Sequence, residues 1–327
     1  MSGYSLELCA GAGGQAIGLE RAGFEHAAVV EIDDAACSTL RLNRPKWTVH
    51  QDDINLFDAR LYKGVDLVAG GFPCPPFSIA GKQLGADDER DCFPAGLRII
   101  EQVRPKAVMI ENVRGILAPA FEVYRAQIDG QLKKLGYVTA WKLLNAADYG
   151  VSQLRPRVVI VALKKQYAAD FVWPEPKRKP KTVGALLHDL ISENGWRGAD
   201  AWREAANAIA PTVVGGSKKH GGPDLGPTRA RKAWAELGVD GLGIANAAPE
   251  ENFEGMPRLT TRMVARVQGF PDSWEFWGKK TAAYRQVGNA FPPPVAFAVA
   301  AQIAKAINPA NKQARHRPEK YWQADLI

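Results

Sequence analysis

The stretch SLELCAGAGG, residues 5–14, followed by the helix-period segment QAIGLERA, residues 15–22, decides the fold. An apolar strand pattern that passes through a glycine-rich turn into a helix is typical of the first unit of a βαβ fold. The alternation continues, with strand patterns at 27–32, 65–69, 107–110, 139–144 and 158–163 and helix patterns at 35–43, 95–103 and 122–135. We therefore expect an α/β domain with a doubly wound, mainly parallel sheet.

The alternation ends in two steps. AADYGVSQLRPR, residues 146–157, joins the last two strand patterns without a helix, which predicts an antiparallel hairpin at the sheet edge. The Pro- and Lys-rich stretch 173–181 marks a boundary, and the chain beyond it is rich in loops to about Pro257. Helix patterns remain at 183–190, 201–209, 258–269 and 294–307, and the apolar stripe of the last one needs the sheet to cover it.

Composition excludes several classes of protein. The 327 residues include 42 Lys+Arg and 35 Asp+Glu, a net charge of +7, and 46% are hydrophobic, which is typical of a globular chain. The most apolar stretch, residues 290–301, contains three consecutive prolines and is too short to span a membrane. Without a secretory signal or a CxxC pair, the chain is expected in a reducing cytoplasm, with neither disulfides nor a metal site.

The glycine-rich turn at residues 11–14 lies where a helix N-terminus can approach a ligand. Glu31 ends the next strand about 20 residues later, where a carboxylate can bond ribose hydroxyls. Ala16 replaces the third glycine of the dinucleotide pattern, which disfavours NAD and leaves another adenosine ligand. For the glycine turn and Glu31, the alternative interpretation is a tight turn with an acid that caps a helix. Asp53, after the third strand, could bond an adenine amino group.

Chemistry is expected in the loop GGFPCPPFS, residues 70–78, which follows the fourth strand. Cys74 lies between Pro73 and Pro75, which restrict the backbone and present the thiol at the carboxyl edge of the sheet. A structural cysteine is more often buried inside an element, so this position favours a nucleophile.

Charged residues follow the neighbouring strands. Glu111 ends the fifth strand beside the Cys74 loop, although a surface acid is the alternative. Gln153, Arg155 and Arg157 alternate along an extended segment and therefore share one face. Two guanidiniums there are either solvated or able to hold a carboxylate or phosphate.

The ordered set of motifs resembles the DNA (cytosine-5)-methyltransferases in order and spacing over nearly the whole chain. The motifs are ELCAGAGG, VVEID, DDI, GGFPCPPFS, ENV, QLRPR, RLTTRMVARVQGFPD and QVGNAFPPP. The resemblance implies a Rossmann-like class I methyltransferase with a smaller, irregular target-recognition domain. Residues 1–172 plus 284–327 would form a discontinuous catalytic and S-adenosylmethionine-binding domain, and residues 173–283 the target-recognition domain.

By the same resemblance, the Cys74 thiolate attacks carbon 6 of cytosine and makes carbon 5 nucleophilic toward the methyl group of S-adenosylmethionine. Glu111 would hold the N3 edge of the base, and Arg157 with Arg155 would bind near its carbonyl. Ser78 would contact a backbone phosphate. Because a stacked cytosine is out of reach, the target base must be flipped out of the duplex.

The resemblance also assigns the remaining contacts. The implied cofactor residues are Gly11, Ala12, Gly13, Glu31, Asp53, Pro73 and Asn289. Basic residues in 218–232 suit DNA contact, although a solvated loop is the alternative. These candidates are Lys218, Lys219, Arg229, Arg231 and Lys232. Arg258, Arg262 and Arg266, four residues apart on a predicted helix, either anchor this region or follow the DNA backbone.

Double-stranded DNA is the expected partner, and a cognate restriction endonuclease is a further candidate. The protein is expected to be a monomer that does not bind a membrane. A transfer-RNA cytosine-5 methyltransferase is the nearest alternative, because its chemistry and cofactor would be the same. A catalytically silent nucleic-acid-binding regulator is another, although the intact Cys74, Glu111 and Arg157 argue against it. An NAD-linked oxidoreductase is more remote.

Overall fold

Seven strands form one sheet in the part of the chain that the computed structural model describes, residues 3–73, 91–176, 179–216 and 222–308. They are β1 (Gly3–Leu8), β2 (Phe24–Glu31), β3 (Val49–Gln51), β4 (Leu67–Gly71), β5 (Ala107–Val113), β6 (Tyr137–Asn145) and β7 (Pro156–Lys164). Their order is β3-β2-β1-β4-β5-β7-β6. β7 runs antiparallel to both of its neighbours, β5 and β6. The other neighbouring strands of this sheet are parallel. The predicted α/β class and the edge hairpin are confirmed.

Helices follow most strands, as the sequence patterns predicted. They are α1 (Gly14–Arg21), α2 (Asp34–Asn43), α3 (Phe93–Val103), α4 (Glu122–Lys134), α5 (Lys165–Ala168), α6 (Val183–Ile191), α7 (Ala199–Ala205), α8 (Thr228–Ala235), α9 (Thr261–Val267), α10 (Lys280–Asn289) and α11 (Pro293–Ile307). The helix predicted at 258–269 begins only at Thr261, because Thr260 caps α9 by accepting a hydrogen bond from the Met263 amide. No pattern predicted α8 or α10.

Both faces of the sheet are buried, as a parallel sheet requires. Leu6, Leu8 and Ile110 belong to the core on the face that α3 and α4 cover. Along each strand, the residues that alternate with these point to the other face of the sheet, where α1 and α11 cover a second core. These two helices approach so closely that a Cβ atom on Gly18 would be 2.4 Å from the Cβ of Ala296. The predicted covering of the sheet by the last helix is therefore present.

The segment Lys280–Ile307 is long and apolar enough for a membrane span by length and composition alone. It consists of two helices, α10 and α11, and 61% of its apolar window is buried inside the protein. This is the burial expected of helices that complete a core.

A third core joins the region after residue 179 to the helices α1 and α2. Leu187, Trp234 and Phe270 share it with Ile17 and Leu40. The basic stripe of Arg258, Arg262 and Arg266 forms ion pairs with nearby carboxylates. The ion pairs are Arg258–Asp240 at 2.7 Å, Arg262–Glu193 at 3.3 Å, Arg262–Asp272 at 3.2 Å, Arg266–Asp189 at 2.5 Å and Arg266–Asp272. Of the two predicted roles for the stripe, the structure supports anchoring.

Candidate active site

The glycine-rich turn between β1 and α1 is held by the carboxylate of Glu31. Glu31 Oε2 accepts a hydrogen bond from the Gly11 amide at 2.7 Å, and Oε1 accepts from the amides of Ile32 and Asp33 at 2.9 and 2.8 Å. Gly11 has φ 54° and Gly13 has φ 86°, a backbone region that favours glycine. Glu31 therefore fixes the end of β2 and the turn after β1 relative to each other.

The turn is also shaped from far along the chain. The indole of Trp274 donates a hydrogen bond to the Ala12 carbonyl at 3.0 Å. A Cβ atom on Gly13 would lie 2.9 Å from both the Trp274 ring and the Leu40 side chain, so glycine alone fits. Gly13 caps α1 without a side-chain hydrogen bond, and this leaves the first amides of the helix available to a ligand.

A cleft of about 220 Å³ opens at this turn, at the carboxyl ends of β1 and β4. Open α/β sheets bind ligands at such an edge. Of the predicted cofactor residues, Gly11, Ala12, Glu31 and Asn289 line the cleft. The other three, Gly13, Asp53 and Pro73, are not among the residues that line it. Gly13 follows Ala12 directly, the Pro73 carbonyl accepts from the Cys92 amide at 3.4 Å, and Asp53 accepts from the amide of Asn55 at 2.9 Å.

The cleft is also lined by two buried polar side chains that the sequence analysis did not predict. Glu7 on β1 and Gln15 on α1 are only 1% and 4% exposed. In the described part of the chain, Glu7 Oε2 and both amide atoms of Gln15 have no hydrogen-bond partner. Burial raises the pKa of Glu7 well above its usual value, and the nearby charge of Glu31 adds to the rise. Unpartnered buried polar atoms are costly, so they suit a polar or cationic ligand.

Glu111 and Arg157 form the charged pair of the site. Arg157 Nε lies 2.7 Å from Glu111 Oε1, and both side chains are 14% exposed. Burial raises the pKa of Glu111, whereas the charges of Arg157 and Arg155 oppose that rise. A carboxyl group that is poised to hold a proton next to a cation is suited to acid and base work.

The start of the loop that carries Cys74 is fixed beside this pair. Gly71, three residues before Cys74, pairs with Glu111 across β4 and β5. The Asn112 side chain donates to the Phe72 carbonyl at 2.9 Å. A Cβ atom on Gly96 would lie 2.3 Å from the buried Phe72 ring, so the chain leaves β4 along a tightly packed path. The predicted residues Cys74, Ser78, Lys218 and Lys219 lie outside the described residues.

The position of Arg155 differs from the expectation that the guanidiniums of Arg155 and Arg157 both bind near the target cytosine. Its side chain is 1% exposed, and it donates to the carbonyls of Val213, Gly288 and Ala290 at 2.7, 2.8 and 3.0 Å. Burial lowers the pKa of Arg155 to about 9, which leaves it charged at neutral pH. Its donors serve the protein interior, because three chain segments meet around it.

The remaining predicted DNA contacts lie on α8, which the sequence patterns did not predict. Arg229 and Lys232 are exposed there, and Arg231 is half-buried, donating to the Thr228 hydroxyl at 3.4 Å. Within the described residues, no group of three or more His, Cys, Asp or Glu side chains could hold a metal ion.

Comparison with known proteins identifies the family. A family model for C-5 cytosine-specific DNA methylases matches residues 4–305. The chain is 59% identical to the Type II methyltransferase M.NgoMIV of Neisseria gonorrhoeae, covering 94% of this chain and 99% of that protein. It is 54% identical to M.NaeI of Lentzea aerocolonigenes, covering 93% and 75%. The crystal structure of the Schizosaccharomyces pombe (S. pombe) Dnmt2 methyltransferase has the same fold, with a TM-score of 0.62 at 19% identity over 94% and 99% of the two chains. On its sequence relatives and its fold, this chain belongs to the family of C-5 cytosine-specific DNA methylases.

Proposed function

We propose that the chain transfers the methyl group of S-adenosylmethionine to carbon 5 of a cytosine in double-stranded DNA, at a specific site. The observation that carries the proposal is the position of the Glu111–Arg157 pair beside the glycine-turn cleft, at the point where the Cys74 loop leaves β4. The 59% identity to a Type II methyltransferase supports DNA as the substrate.

S-adenosylmethionine supplies an activated, positively charged methyl donor when bound. Glu31 and the turn amides would hold its adenosine part, and Asn289 lines the same cleft. The unpartnered oxygen of Glu7 and the amide of Gln15 fit its charged methionine part, because a cation would relieve the cost of an ionised, buried carboxylate. Asp53 and Pro73 would contact it at the rim.

The chemical roles follow the resemblance of the motifs. The Cys74 thiolate adds to carbon 6 of the flipped base, and this bond gives carbon 5 the electron density that a stable aromatic ring lacks. Glu111 holds a proton at N3 as charge develops there, and Arg157 keeps the carboxyl in place. Once carbon 5 has taken the methyl group, with S-adenosylhomocysteine as the leaving group, water accepts the carbon 5 proton and the carbon–sulfur bond to Cys74 breaks. These steps release 5-methylcytosine and free Cys74.

DNA recognition is assigned to the second region. Residues 173–283 would read the target, with Ser78, Lys218 and Lys219 and the α8 residues Arg229, Arg231 and Lys232 contacting DNA. Exposed cations on one helix suit phosphate contact. Residues 1–172 plus 284–327 would form the catalytic domain. A monomer in the bacterial cytoplasm, acting with a cognate restriction endonuclease, remains our proposal for its context.

Transfer of labelled methyl tests the function directly. Labelled S-adenosylmethionine is incubated with unmethylated double-stranded DNA and, separately, with transfer RNA, and the labelled base is then identified. We expect 5-methylcytosine in the DNA and none with the Cys74→Ala variant. Label only in RNA would replace the proposal with an RNA substrate, and label in neither would refute transfer.

A further inference from the structure

Three buried side chains, two from one segment and one from a distant segment, form a closed ring of hydrogen bonds with a backbone carbonyl. Gln153 Nε2 donates to Gln268 Oε1 at 2.6 Å, and Gln268 Nε2 donates to the Ala290 carbonyl at 2.7 Å. Arg155 closes the ring by donating to the Ala290 carbonyl at 3.0 Å and to Gln153 Oε1 at 3.5 Å. We call Gln153, Arg155 and Gln268 the polar ring. All three are at most 1% exposed, so these bonds lie in a low-dielectric interior.

One side of the polar ring holds the segment 211–216. Both backbone groups of Val213 are bound: its amide donates to Gln153 Oε1 at 2.9 Å, and its carbonyl accepts from Arg155 at 2.7 Å. The Tyr284 hydroxyl donates to the next carbonyl, that of Val214, at 3.0 Å. This segment leads directly into residues 217–221, which contain the predicted DNA contacts Lys218 and Lys219.

The other side of the polar ring holds the wall of the cofactor cleft. Arg155 donates to the carbonyls of Gly288 and Ala290, the two residues that flank Asn289. Asn289 lines the cleft and donates to the Gly216 carbonyl at 3.3 Å. The contact is close, because a Cβ atom on Gly288 would lie 2.4 Å from the Cα of Gly215. The same few groups therefore fix both the segment 211–216 and Asn289.

We propose that the polar ring is a positioning element that couples DNA binding to cofactor binding, by fixing Asn289 to the segment 211–216. The inference rests on the proposed function, since it assumes that DNA contacts the residues following this segment. When bound DNA holds the segment 211–216 in this position, the bonds of Arg155 and Asn289 also hold Asn289 in its position in the cleft. The linkage is reciprocal, so bound cofactor also favours DNA binding.

The test measures the affinity for S-adenosylhomocysteine by calorimetry, with and without unmethylated plasmid DNA that the wild-type protein methylates. We expect DNA to raise the wild-type affinity about tenfold, within the usual range of coupling. Arg155→Lys should reduce that ratio to about two, and Tyr284→Phe, which removes only the hydroxyl bonded to Val214, should lower it by about half. The matched control Arg262→Lys alters an exposed ion pair outside the ring and should keep the wild-type ratio.

Several outcomes would overturn the coupling. One is a wild-type ratio of one, and another is a loss of affinity in Arg155→Lys that is equal with and without DNA, which indicates a merely structural role. If Arg155→Lys does not fold, an unchanged ratio in Tyr284→Phe decides against the proposal. Failure of the proposed function is distinguishable, because the wild-type protein would then not label the plasmid at all.

Discussion

Replacing Glu31 with glutamine tests the contact that shapes the cofactor turn. The wild-type carboxylate accepts from three backbone amides, two on Oε1 and one on Oε2. Glutamine keeps one oxygen, which can still serve Ile32 and Asp33. Its NH₂ group then faces the Gly11 amide, so two donors oppose each other where a charge-assisted hydrogen bond existed.

The magnitude follows from these bonds. A hydrogen bond to a charged group contributes about 1.5–3 kcal/mol, and a buried donor left without its partner costs about 1–3 kcal/mol. In the variant the free turn relaxes away from the shape that these bonds hold, and cofactor binding must restore that shape, so we expect a loss of about 2–4 kcal/mol in cofactor binding. Because about 1.4 kcal/mol is a tenfold change, the affinity should fall between about 30-fold and about 700-fold.

Calorimetric titration with S-adenosylhomocysteine measures this loss, with thermal unfolding to verify that the variant is folded. Glu25→Gln is the matched control, since Glu25 is exposed on the same strand, β2, and should change the affinity by less than about twofold. A folded Glu31→Gln protein that binds within about threefold of wild type would refute the role assigned to this carboxylate.

Three further changes have defined outcomes. Cys74→Ala should abolish methyl transfer while DNA binding in a gel-shift assay persists; full activity would remove the covalent mechanism. The raised pKa of Glu7 means that the folded protein keeps a proton that the unfolded chain loses above about pH 4.5, so stability falls as pH rises through that window. Denaturation at pH 5 and pH 8 should therefore show Glu7→Gln gaining stability relative to wild type at the higher pH, and an equal difference at both would contradict it. Arg157→Met removes the cation beside Glu111, so its pKa should rise further, moving the pH–rate profile upward and lowering kcat about a hundredfold or more; an unshifted profile would count against the pair.

Local patterns predicted the elements that are long and periodic. The strands around residues 27–32 and 158–163 and the helix at 122–135 were found within a few residues of their predicted bounds. A third strand was expected before Asp53, but β3 has only three residues, VHQ, which provide too little pattern to predict its bounds. α8 contains Arg229, Arg231 and Lys232 within eight residues, so charge obscured its single buried face, where Trp234 lies.

The site was predicted less evenly, because burial is a property of the assembled chain. Arg155 and Arg157 look alike in sequence, yet one is enclosed by three carbonyls and the other pairs with Glu111. A signal for Glu7 did exist. An acid between Leu6 and Leu8 on a strand that is buried on both faces has no solvent to reach, and such a position is unusual without a functional role.

The hydrogen bond from Trp274 to the Ala12 carbonyl has a consequence for how the protein is made. The two residues are 262 positions apart, so the glycine-rich turn gains this contact only after residue 274 has left the ribosome. Contacts of such long range form late, since a large loop must close before they can stabilise anything. A nascent chain therefore lacks the Trp274 contact until this part of the chain has been made, and the turn that we propose binds the cofactor is completed late.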